Sequence, residues 1–314
     1  MRHMSEFRAD CSPLVPPGGI DCHERDMTAT VSADVTLSAL QERLARAGQW
    51  LPVDGDPQAT VGRLVESNST GPLRLGYGAW RDLLLGCQFH NGRGELITAG
   101  GRTLKNVAGY DLTKFMIGQR GVFGRVITVT TRTYRGPEAA AVARFEPDGR
   151  VVGRLLISPC RPQWAVLTKD ALWCGYLGDR RTVEYYRGAL ADFSPAEVAA
   201  RSLGEDSAHR RQLWRGSEDG TFRASVPPAN IEQFVRDARL TEWSADAVFG
   251  VVVGPATASQ EAIVSAAATN AGGSVYFMRE GSMRVQAPPA TMEVLRRIKA
   301  ALDPEGRLEP LPGL

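Results

Sequence analysis

The segment Gly118-Gln119-Arg120-Gly121-Val122-Phe123-Gly124 sets a glycine at every third position and runs directly into Arg125-Val126-Ile127-Thr128-Val129-Thr130-Thr131. The β-branched run predicts a strand reaching Tyr134. The glycines predict a loop whose backbone comes close to a flat or phosphorylated group, since only glycine leaves room for such an approach. The loop follows a helix-like segment, Val107 to Ile117, and precedes a strand. That order is the reverse of the dinucleotide-binding fingerprint, which follows a strand and opens a helix. By itself the loop is compatible with an ordinary surface turn.

Two further segments have a similar character. In Asp56-Pro57-Gln58-Ala59-Thr60-Val61-Gly62 a turn delivers a hydroxyl and a helix start to one spot. Free N–H groups and the positive end of the helix dipole favour a phosphate there, and an ordinary capped helix needs the same residues. In Gly71-Pro72-Leu73-Arg74-Leu75-Gly76-Tyr77-Gly78, closed by Arg81-Asp82, the glycines suit either a close ligand approach or positive φ angles in a surface loop.

The rest of the chain reads as mixed α and β. Residues 1–26 are rich in proline and glycine and read as an irregular leader. Met27 to Ala33 alternates as a strand, Thr36 caps a helix carrying Leu37, Leu40 and Leu44, and Gly48 stops it. Trp50 to Val53 is a short strand, and Thr60 caps a helix to Ser67 with Val61, Leu64 and Val65 inward. Cys87–Asn91 and Glu95–Ala99 flank Gly92-Arg93-Gly94 as a hairpin. A boundary is expected at Gly136-Pro137, giving units 1–135 and 136–314.

Beyond the boundary, strands are expected at Val151–Ile157, Trp164–Thr168, Leu172–Tyr176, Phe222–Val226, Val248–Val253 and Ser274–Met278. Helices are expected at Pro195–Ser202, Asn230–Ala238, Gln260–Ala271 and Met292–Leu302. There is no regular βαβ rhythm, so an antiparallel α+β unit is favoured over a doubly wound sheet. No internal repeat is visible in the sequence.

Taken in order, Gly100-Gly101, Lys105-Asn106-Val107-Ala108-Gly109-Tyr110-Asp111-Leu112 and the Gly118 loop resemble the second half of the flavin domain of vanillyl-alcohol-oxidase (PCMH-type) flavoproteins. The Lys105–Leu112 string resembles the version found in FAD-binding subunits of bacterial glycolate oxidases. The resemblance runs from about Met27 to Tyr134 and continues weakly to Leu302-Asp303-Pro304-Glu305-Gly306. It implies an α+β fold: a PCMH-type FAD-binding domain, its first subdomain largely missing here, followed by an antiparallel, ferredoxin-like α+β substrate domain. It implies FAD as cofactor. It places Pro52, Thr60, Gly62, Asn68, Gly71, Tyr77 and Gly78 at successive flavin and pyrophosphate contacts. Gly118, Gly121, Gly124 and Val126 fall where backbone lines the adenosine and pyrophosphate. Asp111 either contacts the cofactor or pins the helix that begins there.

The same resemblance implies oxidation of a small 2-hydroxy acid, with electrons passed to a larger homologous flavoprotein subunit and an iron–sulfur subunit. It implies a cytoplasmic location, peripheral to the membrane through the complex. Departures are Arg63 after Gly62, Thr70 before Gly71, and only 26 residues ahead of Met27. They keep a second reading open: a non-catalytic structural subunit that has lost FAD. No catalytic residue is assigned.

Composition narrows the alternatives. There are 37 basic and 35 acidic residues, a net charge of +2, which gives no reason to expect nucleic acid as a partner. The five cysteines include no CxxC, and the four histidines have no HxxxH or HExxH spacing, so neither a disulfide framework nor a metal site is expected. No apolar run approaches the roughly 20 residues of a membrane span, and no secretory signal is read at the N-terminus.

Overall fold

The computed structural model describes residues 12–101, 111–214, 220–279, 282–284 and 289–311, with backbone alone at 279, 282–284, 289 and 290. The Lys105–Tyr110 part of the sequence signature, and the beginning of the helix expected from Val107, lie outside the described residues.

The first sheet is built from β1 (Ile20–His23), β2 (Thr28–Ser32), β4 (Leu84–His90), β5 (Leu96–Gly100) and β6 (Arg125–Arg132), in the order β1-β2-β6-β4-β5. Every pairing in it is antiparallel. Strand β1 corrects the reading of 1–26 as irregular throughout: an edge strand needs no strong pattern of its own when β2 supplies the ladder. Helix α1 (Leu37–Ala45) buries Leu37, Leu40 and Leu44, and its Thr36 cap accepts the Ala39 N–H at 3.3 Å. Helix α2 (Val61–Glu66) buries Val61, Leu64 and Val65. These residues form one core with Ala29 and Val31 of β2, Cys87 and Phe89 of β4, and Val126 and Val129 of β6. A two-stranded ladder, β3 (Gln49–Trp50) with β7 (Tyr134–Arg135), stands beside it. Short helices α3 (Arg74–Tyr77), α4 (Trp80–Leu83) and α5 (Leu112–Phe115) complete this half.

The second sheet has nine strands. Its first part runs β8 (Ala139–Phe145), α6 (Arg150–Leu156), β9 (Trp164–Thr168), β10 (Leu172–Gly178), α7 (Arg180–Ala189), β11 (Glu197–Arg201), with strand order β11-β8-β10-β9. Helix α8 (Leu203–Leu213) follows. The second part runs β12 (Thr221–Ser225), α9 (Ile231–Asp237), β13 (Ser244–Asp246), β14 (Val251–Pro255), α10 (Glu261–Asn270), β15 (Ser274–Arg279), with order β13-β14-β12-β15. Both are βαββαβ units with the same ferredoxin-like order. They join where β9 pairs antiparallel with β13. Strand β16 (Ser282–Arg284) extends the far edge, and α11 (Pro289–Leu302) ends the chain's regular structure. The repeat is one of topology, carried by unlike side chains, which is why the sequence shows none.

Two expectations fail here. Val151–Ile157 is helix α6, not a strand: Asp148 Oδ1 accepts the Arg150 N–H at 2.9 Å, and Val152 and Leu155, three apart, both turn into the core. Pro195–Ser202 contains strand β11, not a helix, because the edge of β8 accepts it as an antiparallel partner from Glu197 to Arg201. Alanine-rich propensity yields to that pairing. Helices α7 and α8 have no counterpart in the sequence reading, although Ser202 and Glu205 form the capping box of α8, a Ser-x-x-Glu pattern.

Candidate functional site

Helix α2 organises one wall of the site. Thr60 has extended backbone, and its hydroxyl accepts the Arg63 N–H at 3.3 Å, so the hydroxyl serves as cap. At the other end the Gly118–Gly124 loop docks on the helix. Gly118 N–H donates to Val65 O at 3.0 Å and Arg120 N–H to Glu66 O at 2.9 Å. The Val126 N–H donates to Glu66 Oε1 at 2.9 Å. Burial pushes the Glu66 carboxyl above its ordinary range, against the pull of that hydrogen bond and of Arg125 and Arg63. Gly118 and Gly121 have φ of +80° and +81°, a conformation that favours glycine. A Cβ on Gly118 would lie 3.3 Å from that of Asn68, so these two expected cofactor residues face each other at the end of α2.

A second wall is the Ser69–Trp80 segment. Pro52, Ser69, Thr70, Gly71, Arg74, Gly78, Ala79 and Trp80 line a small cavity together with Val53 and Asp54. Gly71 is tight against Asp54: a Cβ would stand 2.5 Å from the Asp54 Cβ. Gly78, with φ +86°, is likewise abutted by Asp82, whose Oδ2 accepts the Ala79 N–H at 2.8 Å. Tyr77 turns its ring to Trp50 and Tyr134, with centroids 5.3 and 5.4 Å away, edge-on to both. Burial raises its phenol to about 12, so it stays protonated.

The second sheet grips this same segment. Asp54 Oδ2 accepts the Leu73 N–H at 2.7 Å, and Asp54 Oδ1 accepts from Arg210 Nε at 3.0 Å. Arg210 also pairs with Asp206, one turn earlier on α8, and Asp206 Oδ1 accepts the Trp164 indole N–H at 2.9 Å. Arg223 on β12 donates to Thr70 O at 3.1 Å and to Thr70 Oγ1 at 2.7 Å, and Trp214 Nε1 donates to Thr70 O at 3.2 Å. Burial pulls the Arg223 guanidinium down to about 10, with Arg74 adding to the effect. A wider cavity of about 710 Å³ opens between α1, Gly136-Pro137 and α8, and none of the expected cofactor residues lines it.

The expected residues therefore fall into groups. Pro52, Gly71 and Gly78 share the small cavity; Asn68, Gly118 and Gly121 share the end of α2. The others are turned elsewhere. Gly62 is enclosed, and a Cβ there would stand 2.6 Å from that of Ala33. A Cβ on Gly124 would meet Phe89 at 2.6 Å. Asp111 caps α5, accepting the Lys114 N–H at 3.2 Å, and pairs with the Lys114 ammonium at 3.3 Å. Val126 is buried in the core. Asp54, Arg74, Arg210 and Arg223 carry no motif. The only sequence signal near them is the i, i+4 spacing of Asp206 and Arg210, which any exposed helix also shows.

These residues suit a flavin cofactor in part. Trp80 lines the cavity, and its buried indole N–H has no hydrogen-bond partner, an unsatisfied donor beside the site. Gly118 and Gly121 adopt left-handed backbone in the loop, whose Gly118 N–H, Arg120 N–H and Gly121 carbonyl are engaged within the protein. Among the described residues, no group of His, Cys, Asp or Glu is arranged to hold a metal ion, and no helix is long and apolar enough to cross a membrane.

Residues 17–100 match the FAD binding domain family. The chain is 25% identical over 303 residues to glycolate oxidase subunit GlcE of Escherichia coli (strain K12), covering 93% of this chain and 83% of that one. It is 31% identical over 141 residues to the mitochondrial D-lactate dehydrogenase [cytochrome] of Arabidopsis thaliana, covering 41% of this chain and 25% of that one. A solved structure of alkyldihydroxyacetonephosphate synthase superposes with a TM-score of 0.68 at 14% identity, over 93% of this chain and 65% of that one. The fold is thus an α+β one with a PCMH-type FAD-binding domain, the domain match supports FAD as cofactor, and the chain resembles glycolate oxidase subunit GlcE over nearly its whole length.

Proposed function

We propose that this chain is the FAD-binding subunit of a glycolate-oxidase-like complex that oxidises a small 2-hydroxy acid and passes the electrons to partner subunits. The observation that carries the reading is the pairing of two walls, the Gly118–Gly121 turn at the end of α2 and the Pro52–Gly71–Gly78 cavity, within the stretch that resembles such subunits. The partners of this reading are a larger homologous flavoprotein and an iron–sulfur subunit. The units 1–135 and 136–314 hold the cofactor and cover the substrate respectively.

In this reading bound FAD would supply the acceptor for the two electrons removed from the substrate carbon. The chain's own groups bind and orient. Pro52, Gly71 and Gly78, with Asn68 and Tyr77, border the ring side. Thr60 and Gly62 begin the helix whose positive end favours the pyrophosphate. Gly118 and Gly121 carry the backbone along the adenosine side, while Gly124 and Val126 pack behind that loop and Asp111 pins the start of α5. The second sheet, through Arg210, Trp214 and Arg223, fixes the Ser69–Leu73 segment and shields it from water.

A second reading is a structural subunit that has lost FAD. It is favoured by Gly62, Gly71 and Gly124, each of which has protein where a Cβ would go, so packing alone accounts for them. Absorbance of the purified protein, followed by titration with FAD, separates the two. A yellow protein, or one that takes up FAD stoichiometrically, supports the flavin subunit. A colourless protein that binds no FAD leaves the structural subunit.

A further inference from the structure

We propose that Arg74 receives the carboxylate of the 2-hydroxy acid, in a site it forms with Thr70 and the buried Arg223; this rests on the flavoprotein reading above. Arg74 lies on α3, between Gly71 and Gly78, and borders the same small cavity as Pro52, Gly71, Gly78 and Trp80. Its guanidinium carbon stands over the Phe249 ring, 4.1 Å from the centroid. Phe249 sits in the connection between β13 and β14, so the contact ties the flavin half to the second sheet. A guanidinium held over a ring is restrained, and its N–H donors stay available to a planar acceptor.

The charge balance around it is incomplete. Among the described residues, the Arg74 side chain has no hydrogen bond and no ion pair beyond that ring contact. Arg223 stands close enough to act on the same field, and its guanidinium is committed to Thr70 through two nitrogens. Asp246 lies within the electrostatic reach of both, and among the described residues no salt bridge joins it to either. Asp246 Oδ1 is spent on its own turn, accepting the Val248 and Phe249 N–H groups at 3.0 Å each. Arg210 is neutralised by Asp54 and Asp206 and Arg223 is committed to Thr70, so Arg74 is the guanidinium at this cavity with no anionic partner among the described residues. A bidentate oxyanion supplies that partner.

A carboxylate fits better than the cofactor's phosphates. The helix start suited to phosphate is that of α2 at Thr60, whereas Arg74 lies on α3 and is held by Phe249 of the β13–β14 connection. Arg74 also lies between the two glycines that border the expected flavin ring, where the reacting carbon of a small acid has to come.

The test uses the FAD-loaded protein with oxalate, a two-carbon acid that cannot be oxidised at a hydroxyl-bearing carbon, as probe. Oxalate affinity is read by calorimetry and by its perturbation of the flavin absorbance, and FAD affinity is measured separately. Loss of one charge-assisted pair predicts oxalate binding weakened about 10- to 100-fold in Arg74→Gln, with partial recovery in Arg74→Lys and FAD affinity within about twofold of wild type. Because no buried partner is stranded, Arg74→Gln keeps the wild-type unfolding temperature. Unchanged oxalate affinity in a folded, FAD-loaded Arg74→Gln overturns the assignment. So does a parallel loss of FAD affinity, which assigns Arg74 to the cofactor's phosphates. A wild-type protein that takes up no FAD sinks the functional reading instead; calorimetry of oxalate on that flavin-free protein then decides the anion site alone.

Discussion

Arg210 on α8 donates from Nε to Asp54 Oδ1 at 3.0 Å, joining residues 156 positions apart. The pair is nearly closed to solvent, with side-chain exposures of 5% and 10%. Asp54 carries the load in both directions: its other oxygen holds the Leu73 N–H, and its Cβ stands where a side chain on Gly71 would be. The loop expected to touch the flavin is therefore shaped by a helix of the other half of the chain.

Removing Arg210 leaves Asp54 and Asp206 buried without their cation. Arg210→Met is expected to lower the unfolding free energy by about 3–5 kcal/mol, the cost of breaking a buried pair from one side. Urea unfolding midpoints measure it. The triple change Arg210→Met, Asp54→Asn, Asp206→Asn, which removes the charges together, is expected to recover more than half of the loss.

Gly62 and Gly153 give opposite outcomes for the same substitution. Gly62→Ala drives a methyl to 2.6 Å from the Ala33 Cβ, between α2 and the end of β2, and is expected to cost about 1–3 kcal/mol. Gly153 is in the middle of α6, and a Cβ there meets nothing within 4 Å. Gly153→Ala is expected to add about 0.5–1 kcal/mol through helix propensity. Thermal unfolding of the two variants checks both signs.

Glu66 links the Gly118 loop to α2, and burial holds its proton more tightly in the folded chain than in the unfolded one. Its folded pKa is raised, so the group costs stability as pH rises from the unfolded value of about 4.3 through the folded value, and the cost persists above it. Glu66→Gln has no such dependence. In unfolding titrations at a series of pH values from 4 to 7, the difference between variant and wild type is expected to move in favour of the variant as pH rises. A difference that stays flat, or moves the other way, refutes it.

The thiols are expected to divide by burial. Burial pushes Cys87 up to about 12 and Cys174 higher, and both are enclosed. Neither reacts with a thiol reagent at pH 8 in the native protein, since the thiolate is the nucleophile. Cys22, partly exposed and raised less, reacts on mixing. Mass mapping of the labelled peptides before and after denaturation identifies each.

Much of the first half was legible because its signals are local. Thr36 and Thr60 cap the helices expected of them, Cys87–Asn91 and Glu95–Ala99 pair across their glycine turn, and Arg125 to Arg132 is a strand. The errors fall where a partner outweighed propensity. Glu197–Arg201 joins β8 despite its alanines, and Val151–Leu156 coils because only a helical spacing buries both Val152 and Leu155. The doubled βαββαβ order left no mark in the residues, since topology constrains hydrophobic placement and not identity.

Glycine turns beside capped helices, an antiparallel α+β character and a resemblance to FAD-binding subunits are all written in the residues, because caps, turns and β-branched runs act over a few positions. What surrounds those turns was set by folding. It enclosed Gly62 and Gly124 in packing, gave Asp111 a cap to serve, and brought Asp54, Arg74, Arg210 and Arg223 to one seam. Those four come from distant parts of the chain, and a charge placed in the sequence carries no record of which charge it will meet when water is excluded between them.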